Sequence, residues 1–442
     1  MHSLTIRSRE NNAPSSKVGS KEIVSKLLWL ELYITVFLDV ANELLGFIGF
    51  PLVLGQVVRA CFLFVNFIAV LELGTRRTAQ MMVLIYVFFA IMIIKEVVLG
   101  VNAIAYAGQY WAKTLLYIST FYAIRSAGLY SFMRIDQIEH FFKLSIVFVA
   151  SSFVILAVFG FLPQDSFDSG YEGEILSKNS MSATLLMLFS FSLFLLFKKR
   201  ISFIWVAVVA FSLFMLGSKS TILFSLIIAA ACVLHEVRRL NITGLLTIAI
   251  LLMGFSCVLA INWDYVSQVI QSQLDRYQYV MTQQGGSIAD YLLTGRNDLL
   301  EAGVAYFWES ASPLSLIAGT GVSALGYGVA DIVNSPSSIR GIEMDLFEIV
   351  LASGVIGLTV VLLPLCTLLR DAKGRKSGGA FYLYVGALAV VAFMIFGGHV
   401  ITEGMPASYF GIYLAYISLL LCKRSCADGN AASQSGESSS IY

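Results

Sequence analysis

The sequence contains few charged residues for its length. Asp, Glu, Lys and Arg make up 13% of the 442 residues, and 58% of the residues are hydrophobic. Soluble domains carry about 25% charged residues. A soluble chain of this composition could not cover its apolar surface with polar side chains. The scarcity of charge therefore excludes an ordinary soluble protein and indicates that lipid surrounds much of the chain.

Net charge and cysteine are also low. The formal net charge is +1, which gives no basis for nucleic-acid binding. The six cysteines lie in apolar runs or, as Cys422 and Cys426, near the end of the chain. None falls in a segment predicted to face outwards, so no disulfide framework is expected. We expect no metal and no cofactor either.

Long apolar segments dominate what remains. A bilayer-crossing helix needs about 20 apolar residues. The sequence therefore predicts an all-α, polytopic helical membrane protein of about twelve transmembrane helices. The weakest of these is the fourth span, because it contains Lys113 and Arg125. The predicted spans are 27–46, 52–73, 79–100, 112–130, 143–161, 181–197, 201–216, 220–235, 242–262, 346–369, 379–398 and 407–422.

Lysine and arginine in the connecting segments predict the orientation. With the N-terminus in the cytoplasm, 20 of the 29 basic residues fall in cytoplasmic segments, five fall outside, and four lie within spans. This bias follows the positive-inside rule and predicts that both termini are cytoplasmic.

The predicted spans divide the chain into five parts. The long segment between spans 9 and 10 is predicted to be a large periplasmic loop, with helices at Val266–Tyr279 and Asp298–Trp308 and a turn at Gly319–Gly321. The parts are a cytoplasmic tail at 1–26, spans 1–9 at 27–262, the large loop at 263–345, spans 10–12 at 346–422, and a disordered cytoplasmic tail at 423–442.

Ionisable residues at the predicted outer surface are candidates for function, because charge in or near the bilayer is costly. Lys219 and Arg296 can each be interpreted as a functional residue or as an ordinary surface residue. Lys219 could bind an anion at the start of the next helix or extend to the interface as a snorkelling side chain. Arg296 could grip a phosphate or pair with a nearby carboxylate. The set is Arg59, Lys219, Arg296, Glu343, Asp345 and His399.

Glu343 and Asp345 precede the tenth span and could supply a general base. Carboxylates in the first turn of a helix also serve simply as partners of the helix dipole. His399 is the only histidine predicted on the outer side. It is either a catalytic group or a solvated loop residue.

The order of these features resembles the O-antigen polymerase and O-antigen ligase superfamily of bacterial lipid-linked glycan transferases. The resemblance covers about residues 200–410 and ends with Gly398-His399-Val400. Family ligases carry Ser-Arg where this chain has Ser218-Lys219, and His-Asn where it has Glu343-Met344. These departures favour the polymerase branch. The remaining segments of the resemblance are Arg296–Trp308, Gly319-Thr320-Gly321 with Gly326, and Glu343–Leu358 with Gly354 and Gly357.

The resemblance implies metal-independent glycosyl transfer at the periplasmic face of a bacterial inner membrane, for O-antigen or exopolysaccharide synthesis. The donor would be a glycan on undecaprenyl diphosphate, and the acceptor a hydroxyl of another lipid-linked repeat unit. Lys219 and Arg296, with Arg59 or Arg340, would bind the diphosphate. Glu343, Asp345 or His399 would be the catalytic base. Expected partners are the two lipid-linked glycans, a chain-length regulator and a flippase.

Three other functions are compatible with parts of this pattern. A ligase would move the glycan to a lipid or protein acceptor. A transporter or flippase for lipid-linked sugars would have charges lining a path at mid-membrane, whereas most unusual charges here gather at the outer surface. Glu31, Asp39 and Arg125 do not fit that description. A chain-length regulator or scaffold would need a larger soluble or coiled-coil domain.

Overall fold

The protein is helical throughout the part that the structure describes. No β-strand occurs in this part of the chain, which confirms the predicted all-α class. The predicted ninth span, 242–262, lies outside the described residues except for Leu246 and Met253. The computed structural model describes residues 15–48, 54–162, 171, 177–238, 246, 253, 263–283, 296–310, 312–334, 339–373 and 380–437.

Among the described residues up to Arg238 there are nine α-helices. A short 3₁₀ turn, Glu96–Leu99, extends α3, and a π-helical turn, Ile146–Ala150, joins α5 to α6. The helices are α1 (Ser15–Phe47), α2 (Leu54–Leu73), α3 (Arg76–Lys95), α4 (Val101–Leu129), α5 (Ile135–Ser145), α6 (Ser151–Val158), α7 (Lys178–Phe197), α8 (Phe203–Met215) and α9 (Lys219–Arg238).

The described part of the second half contains helices in the predicted large loop and three helices after it. The two helices predicted within the loop are present as α10 and α11. The helices are α10 (Trp263–Gln283), α11 (Arg296–Glu309), α12 (Pro313–Ala318), α13 (Val322–Ile332), α14 (Asp345–Ala372), α15 (Phe381–Phe396) and α16 (Gly404–Glu437).

Seven segments of the described chain are long and apolar enough to cross a membrane. The chain is therefore a helical membrane protein, and each of these segments coincides with a predicted span. The helices at the predicted seventh and eleventh spans, α8 and α15, are apolar but shorter. The seven segments are Leu54–Leu73, Arg76–Leu99, Ile135–Val158, Lys178–Phe197, Lys219–Arg238, Asp345–Ala372 and Gly404–Cys422.

Three helices run parallel through the centre of the bundle. Lys113 of α4 pairs with Glu403 just before α16, and further along both helices the ring of Tyr117 stacks on Phe410 at 5.3 Å. Near the far end, Arg125 contacts both Ser418 of α16 and Asp371 of α14. Successive membrane crossings alternate in direction. The fourth, tenth and twelfth predicted spans are all even-numbered, so they are expected to run in the same direction. We call the end of the bundle where α4, α14 and α16 begin the site end.

Two types of helix surround this centre. The windows of α7 and α16 that could cross a membrane are 89% buried in protein, whereas those of α2, α3 and α9 are only 28% buried. Large apolar side chains such as Leu84 and Ile94 on α3 are exposed. Outward-facing apolar side chains are expected where a helix contacts lipid. The chain thus has a protein-enclosed core and a lipid-facing periphery.

Helix α14 is broken at Gly354, where φ is +63° and ψ is −163°. The break frees the carbonyls of Leu351 and Ala352 from their helical partners. The backbone amides of Thr320 and Gly321 donate to them at 3.1 and 2.9 Å. A Cβ at Gly354 would lie 2.3 Å from the Ile317 carbonyl oxygen. The predicted glycine turn therefore docks into the break and fixes the first two turns of α14.

Candidate functional site

A cavity of about 160 Å³ opens at the site end of the bundle. Helix α4 forms one wall. The segment just before α14 and the connection between α15 and α16 form the other walls. The residues that line the cavity are Tyr106, Gln109, Tyr110, Lys113, Gly341, Glu343, His399, Thr402 and Glu403.

The α4 wall is made by four residues at spacings i, i+3, i+4 and i+7: Tyr106, Gln109, Tyr110 and Lys113. This spacing places them on one face of the helix. From Thr114 to Gly128 almost every residue of α4 is buried in the protein. The helix therefore changes from a polar cavity wall to a packed core helix along its length. Sequence reasoning missed this wall.

Glu343 and Arg296 meet at the edge of the cavity. The Nε atom of Arg296 lies 3.4 Å from Oε2 of Glu343, and its Nη2 donates to Oδ1 of Asn179 at 3.3 Å. Both contacts are long for hydrogen bonds. Arg296 begins α11 and its side chain is only 14% exposed, whereas that of Glu343 is 44% exposed. The structure thus brings together two of the predicted site residues.

The backbone of Glu343 is unusual. Its φ is +63°, in the left-handed region that non-glycine residues rarely adopt, at a cost of about 1–3 kcal/mol. The conformation turns the chain sharply just before α14 begins at Asp345. Residues held in such conformations cluster at functional sites, where the surrounding structure compensates for the cost.

Asp345 is completely buried and holds the connection between α15 and α16. Its Oδ2 accepts hydrogen bonds from the backbone amides of Val400 and Ile401 at 2.6 and 2.9 Å. Its Oδ1 accepts from the Thr402 hydroxyl at 2.5 Å and lies 3.3 Å from Nδ1 of His399. A carboxylate has about four lone-pair sites, and these contacts occupy them. Asp345 therefore positions the 399–402 turn.

His399 faces the cavity and is held from behind by this turn. Its Nδ1 lies 2.8 Å from the Thr402 hydroxyl oxygen. Burial alone would lower the pKa of His399, but the hydrogen bond to Asp345 and the charges of the surrounding carboxylates outweigh it. They raise the pKa from 6.5 to about 9. His399 therefore carries a positive charge at neutral pH and cannot accept a proton there.

A second ion pair joins α4 to the start of α16. The ammonium of Lys113 lies 3.1 Å from Oε2 of Glu403, and both side chains are partly exposed to the cavity. Glu348, one turn into α14, is buried and accepts a hydrogen bond from the Ile342 amide at 3.2 Å. Cations and carboxylates thus alternate around the cavity, and neither sign dominates it.

The other predicted diphosphate-binding residues lie outside the cavity wall. Arg59 pairs with Asp39 and packs against the backbone of Gly404 at the start of α16. Arg340 is exposed, and its backbone amide donates to the Gly326 carbonyl.

Lys219 begins α9, which packs against α15. Phe224 of α9 contacts Phe393 of α15, and His235 contacts Phe381. The two helices are therefore antiparallel. Lys219 consequently lies at the end of α15 that leads to His399, and so at the site end.

The three charges that the sequence left without an explanation have partners in the structure. Glu31 accepts a hydrogen bond from Asn66 at 2.9 Å, and Asp39 pairs with Arg59. At the far end of the bundle, Arg125 donates three hydrogen bonds to the carboxylate of Asp371, one from Nε and two from Nη2. These groups stabilise helix packing.

Comparison with protein-family models, curated proteins and solved structures returned no match. Function must therefore be argued from the site itself. The site combines an arginine with open hydrogen-bonding capacity, an accessible carboxylate beside it, a protonated histidine, and a cavity with mixed donors and acceptors. Such a set can neutralise a leaving anion while a carboxylate accepts a proton.

Proposed function

We propose that the chain is a polysaccharide polymerase. It transfers a growing glycan from undecaprenyl diphosphate to a hydroxyl of a second lipid-linked repeat unit, at the periplasmic face of the bacterial inner membrane. The observation that carries the proposal is the Arg296–Glu343 pair at the edge of the cavity. The resemblance to the O-antigen polymerase and ligase superfamily supplies the substrate class.

The reaction requires two charge movements that this pair can serve. The acceptor hydroxyl oxygen bonds to the anomeric carbon of the donor glycan. The bond from that carbon to the diphosphate oxygen breaks, and its electron pair leaves on undecaprenyl diphosphate. The hydroxyl proton passes to the carboxylate of Glu343. Arg296 stabilises the charge that develops on the diphosphate, because a guanidinium can bind phosphate oxygens with two parallel hydrogen bonds.

Diphosphate binding at Arg296 would also weaken its contact with Glu343. The contact between Arg296 Nε and Glu343 is 3.4 Å long, so a diphosphate can compete for the guanidinium. Glu343 is then released to accept a proton. Among the predicted bases it is the best suited, because Asp345 has its lone pairs occupied and His399 is protonated.

The location of the site also fits such substrates. It lies at the ends of membrane-crossing helices, where a polyprenyl tail can remain in the bilayer while the diphosphate reaches Arg296. Lys219 lies at the same end of the bundle and can add positive charge at the start of α9. The positive-inside distribution of lysine and arginine supports a periplasmic location for this end.

The experiment is deletion of the gene followed by complementation, with analysis of the accumulated glycans. Loss of long chains, with single repeat units still joined to the final acceptor, is expected of a missing polymerase. Full-length lipid-linked polymer without attachment would instead identify a ligase. Lipid-linked units that never reach the outer face would identify a flippase. Complementation with Glu343→Gln should leave the deletion pattern unchanged.

A further inference from the structure

We propose that the α4 wall of the cavity binds the terminal neutral sugar of the acceptor. The wall consists of Tyr106, Gln109, Tyr110 and Lys113. The inference rests on the proposed function for the identity of the ligand as an acceptor. The reaction described above uses Glu343 and Arg296 and leaves these four side chains without a role.

Tyr110 gives the clearest indication of a missing ligand. The residue is 5% exposed and lines the cavity, yet its phenolic oxygen has no hydrogen-bond partner among the described residues. A buried hydroxyl without a partner costs about 1–3 kcal/mol. Because this oxygen has almost no exposed surface, a ligand hydroxyl would have to enter the wall beside Tyr110 to provide the hydrogen bond.

The charges of the cavity favour a neutral ligand over a phosphate. Two carboxylates, Glu343 and Glu403, face it, and Lys113 and His399 balance them. Because the two cations and the two carboxylates balance, a phosphate would gain no net electrostatic attraction from the cavity. A sugar ring has hydroxyls that both donate and accept, so it can match alternating acceptors and donors. The amide of Gln109 can do both.

The shape of the cavity fits a single sugar ring. Its volume is about 160 Å³, far above the roughly 10–15 Å³ that a cavity needs to hold one water molecule. The rings of Tyr106 and Tyr110 lie 6.4 Å apart with an angle of 31° between their planes. The partly exposed ring of Tyr106 offers an apolar surface for the C–H face of a sugar, beside polar groups that fix its orientation.

Glu343 connects this cavity with the diphosphate side of the site. It lines the cavity and also contacts Arg296, which is not part of the cavity wall. An acceptor sugar on α4 and a donor diphosphate on Arg296 would therefore meet on either side of one carboxylate. That is the arrangement needed for Glu343 to take the proton from the acceptor hydroxyl.

The test is direct binding of sugars to the purified full-length chain in detergent micelles. Thermal unfolding is measured against increasing glucose, galactose, mannose or N-acetylglucosamine, and separately against sodium pyrophosphate. At least one sugar should raise the unfolding temperature in a saturable manner. Tyr110→Phe should weaken that sugar's affinity about five- to tenfold, as expected for one lost hydrogen bond. Gln109→Ala should weaken it as well.

Tyr117→Phe is the matched control. Tyr117 lies on the same helix, is fully buried, and its hydroxyl also has no partner in the described part of the chain. It stacks on Phe410 away from the cavity, so its variant should bind sugar like the wild type. The assignment is overturned if none of the four sugars binds, if Tyr110→Phe binds them normally, or if Tyr110→Phe impairs pyrophosphate instead.

This test separates the two proposals. Sugar binding that depends on Tyr110, in a chain whose deletion leaves polymer length unchanged, would retain the sugar site and reject the polymerase. Loss of polymer on deletion, without any Tyr110-dependent sugar binding, would retain the polymerase and reject the sugar site.

Discussion

The Nε atom of Arg296 lies 3.4 Å from Oε2 of Glu343, although the two residues are 47 positions apart in the sequence. The described part of the segment between them contains three helices, α11 to α13. Arg296 begins α11, and Glu343 stands two residues before α14 in a left-handed conformation. The contact joins the predicted periplasmic loop to the membrane-crossing part of the protein. It places a cation that can bind a phosphate beside a cavity carboxylate that can accept a proton.

Replacing Arg296 with alanine should abolish polymer formation. The side chain is 14% exposed and its contacts with Glu343 and Asn179 are long, so most of its effect should fall on function and little on folding. Arg296→Lys should retain partial activity, because lysine keeps the charge but cannot bind phosphate with two parallel hydrogen bonds. Polymer length and membrane expression are measured together. Arg134→Ala, which breaks an exposed pair with Asp136, is the control and should behave as wild type.

Glu343→Gln and Asp345→Asn should fail in different ways. Glu343 is 44% exposed and lines the cavity, so its amide variant should fold normally and lose activity about 10²–10⁴-fold, as expected for loss of a general base. In Asp345→Asn, an NH₂ group faces hydrogen-bond donors from which the carboxylate accepted hydrogen bonds. This substitution should lower the free energy of unfolding by about 1–3 kcal/mol. Thermal unfolding and polymer yield separate the two. An unstable Glu343→Gln or a fully stable Asp345→Asn would contradict these assignments.

The sequence predicted much of the helical framework and part of the site. Apolar runs of about 20 residues predicted the positions of the helices, because a chain that crosses a bilayer must satisfy its backbone hydrogen bonds internally and a helix does so. Arg296, Glu343 and His399 stood out because charge near a bilayer is costly. Asp345 was also selected, but its role could not be predicted. That role depends on backbone amides at Val400 and Ile401, which only the folded chain brings to it.

The α4 wall could have been found and was not. Tyr106, Gln109, Tyr110 and Lys113 recur at helical spacing, which predicts a polar face. The predicted fourth span begins only at residue 112 and so leaves Tyr106, Gln109 and Tyr110 outside it. Partners such as Lys113 and Glu403 are 290 residues apart. Nothing in local periodicity predicts such a pair.

The pH dependence of stability should identify His399 as a partly buried cation. Its pKa in the folded chain is about 9, above the ordinary value of 6.5. A raised pKa means that the folded state binds the proton more tightly than the unfolded state. This contribution is complete below about pH 6.5 and is lost as the pH rises through about 9. Thermal unfolding of the wild type is compared with that of His399→Asn from pH 6 to pH 10.

The difference between these two proteins is the informative quantity, because titrating groups that do not interact with His399 affect both equally. The advantage of the wild type should shrink as the pH rises from about 6.5 to about 9. A constant difference across this range would mean that the charge of His399 does not stabilise the fold. In that case His399 would again be available as a base at neutral pH.

The pair of Arg125 and Asp371 should stabilise the end of the bundle opposite the site. Arg125 Nη2 contacts both carboxylate oxygens of Asp371 at 2.9 and 3.1 Å, and Ser418 donates to the same carboxylate. Both side chains are largely buried. Removing one partner leaves an uncompensated charge among packed helices. Arg125→Met or Asp371→Asn alone should therefore lower the free energy of unfolding by about 3–5 kcal/mol. Replacing both should cost less than the sum of the single changes.

A double-mutant cycle in thermal unfolding measures this coupling, and polymer length tests whether the pair serves the reaction. The variants that remain folded should form polymer of normal length, because the pair joins the far ends of α4, α14 and α16 and lies away from the cavity. Additive effects would mean that the two residues do not interact in the folded chain. Folded variants with altered polymer length would instead connect this end of the bundle to the reaction. That outcome would favour a path for substrate through the membrane over a site confined to one surface.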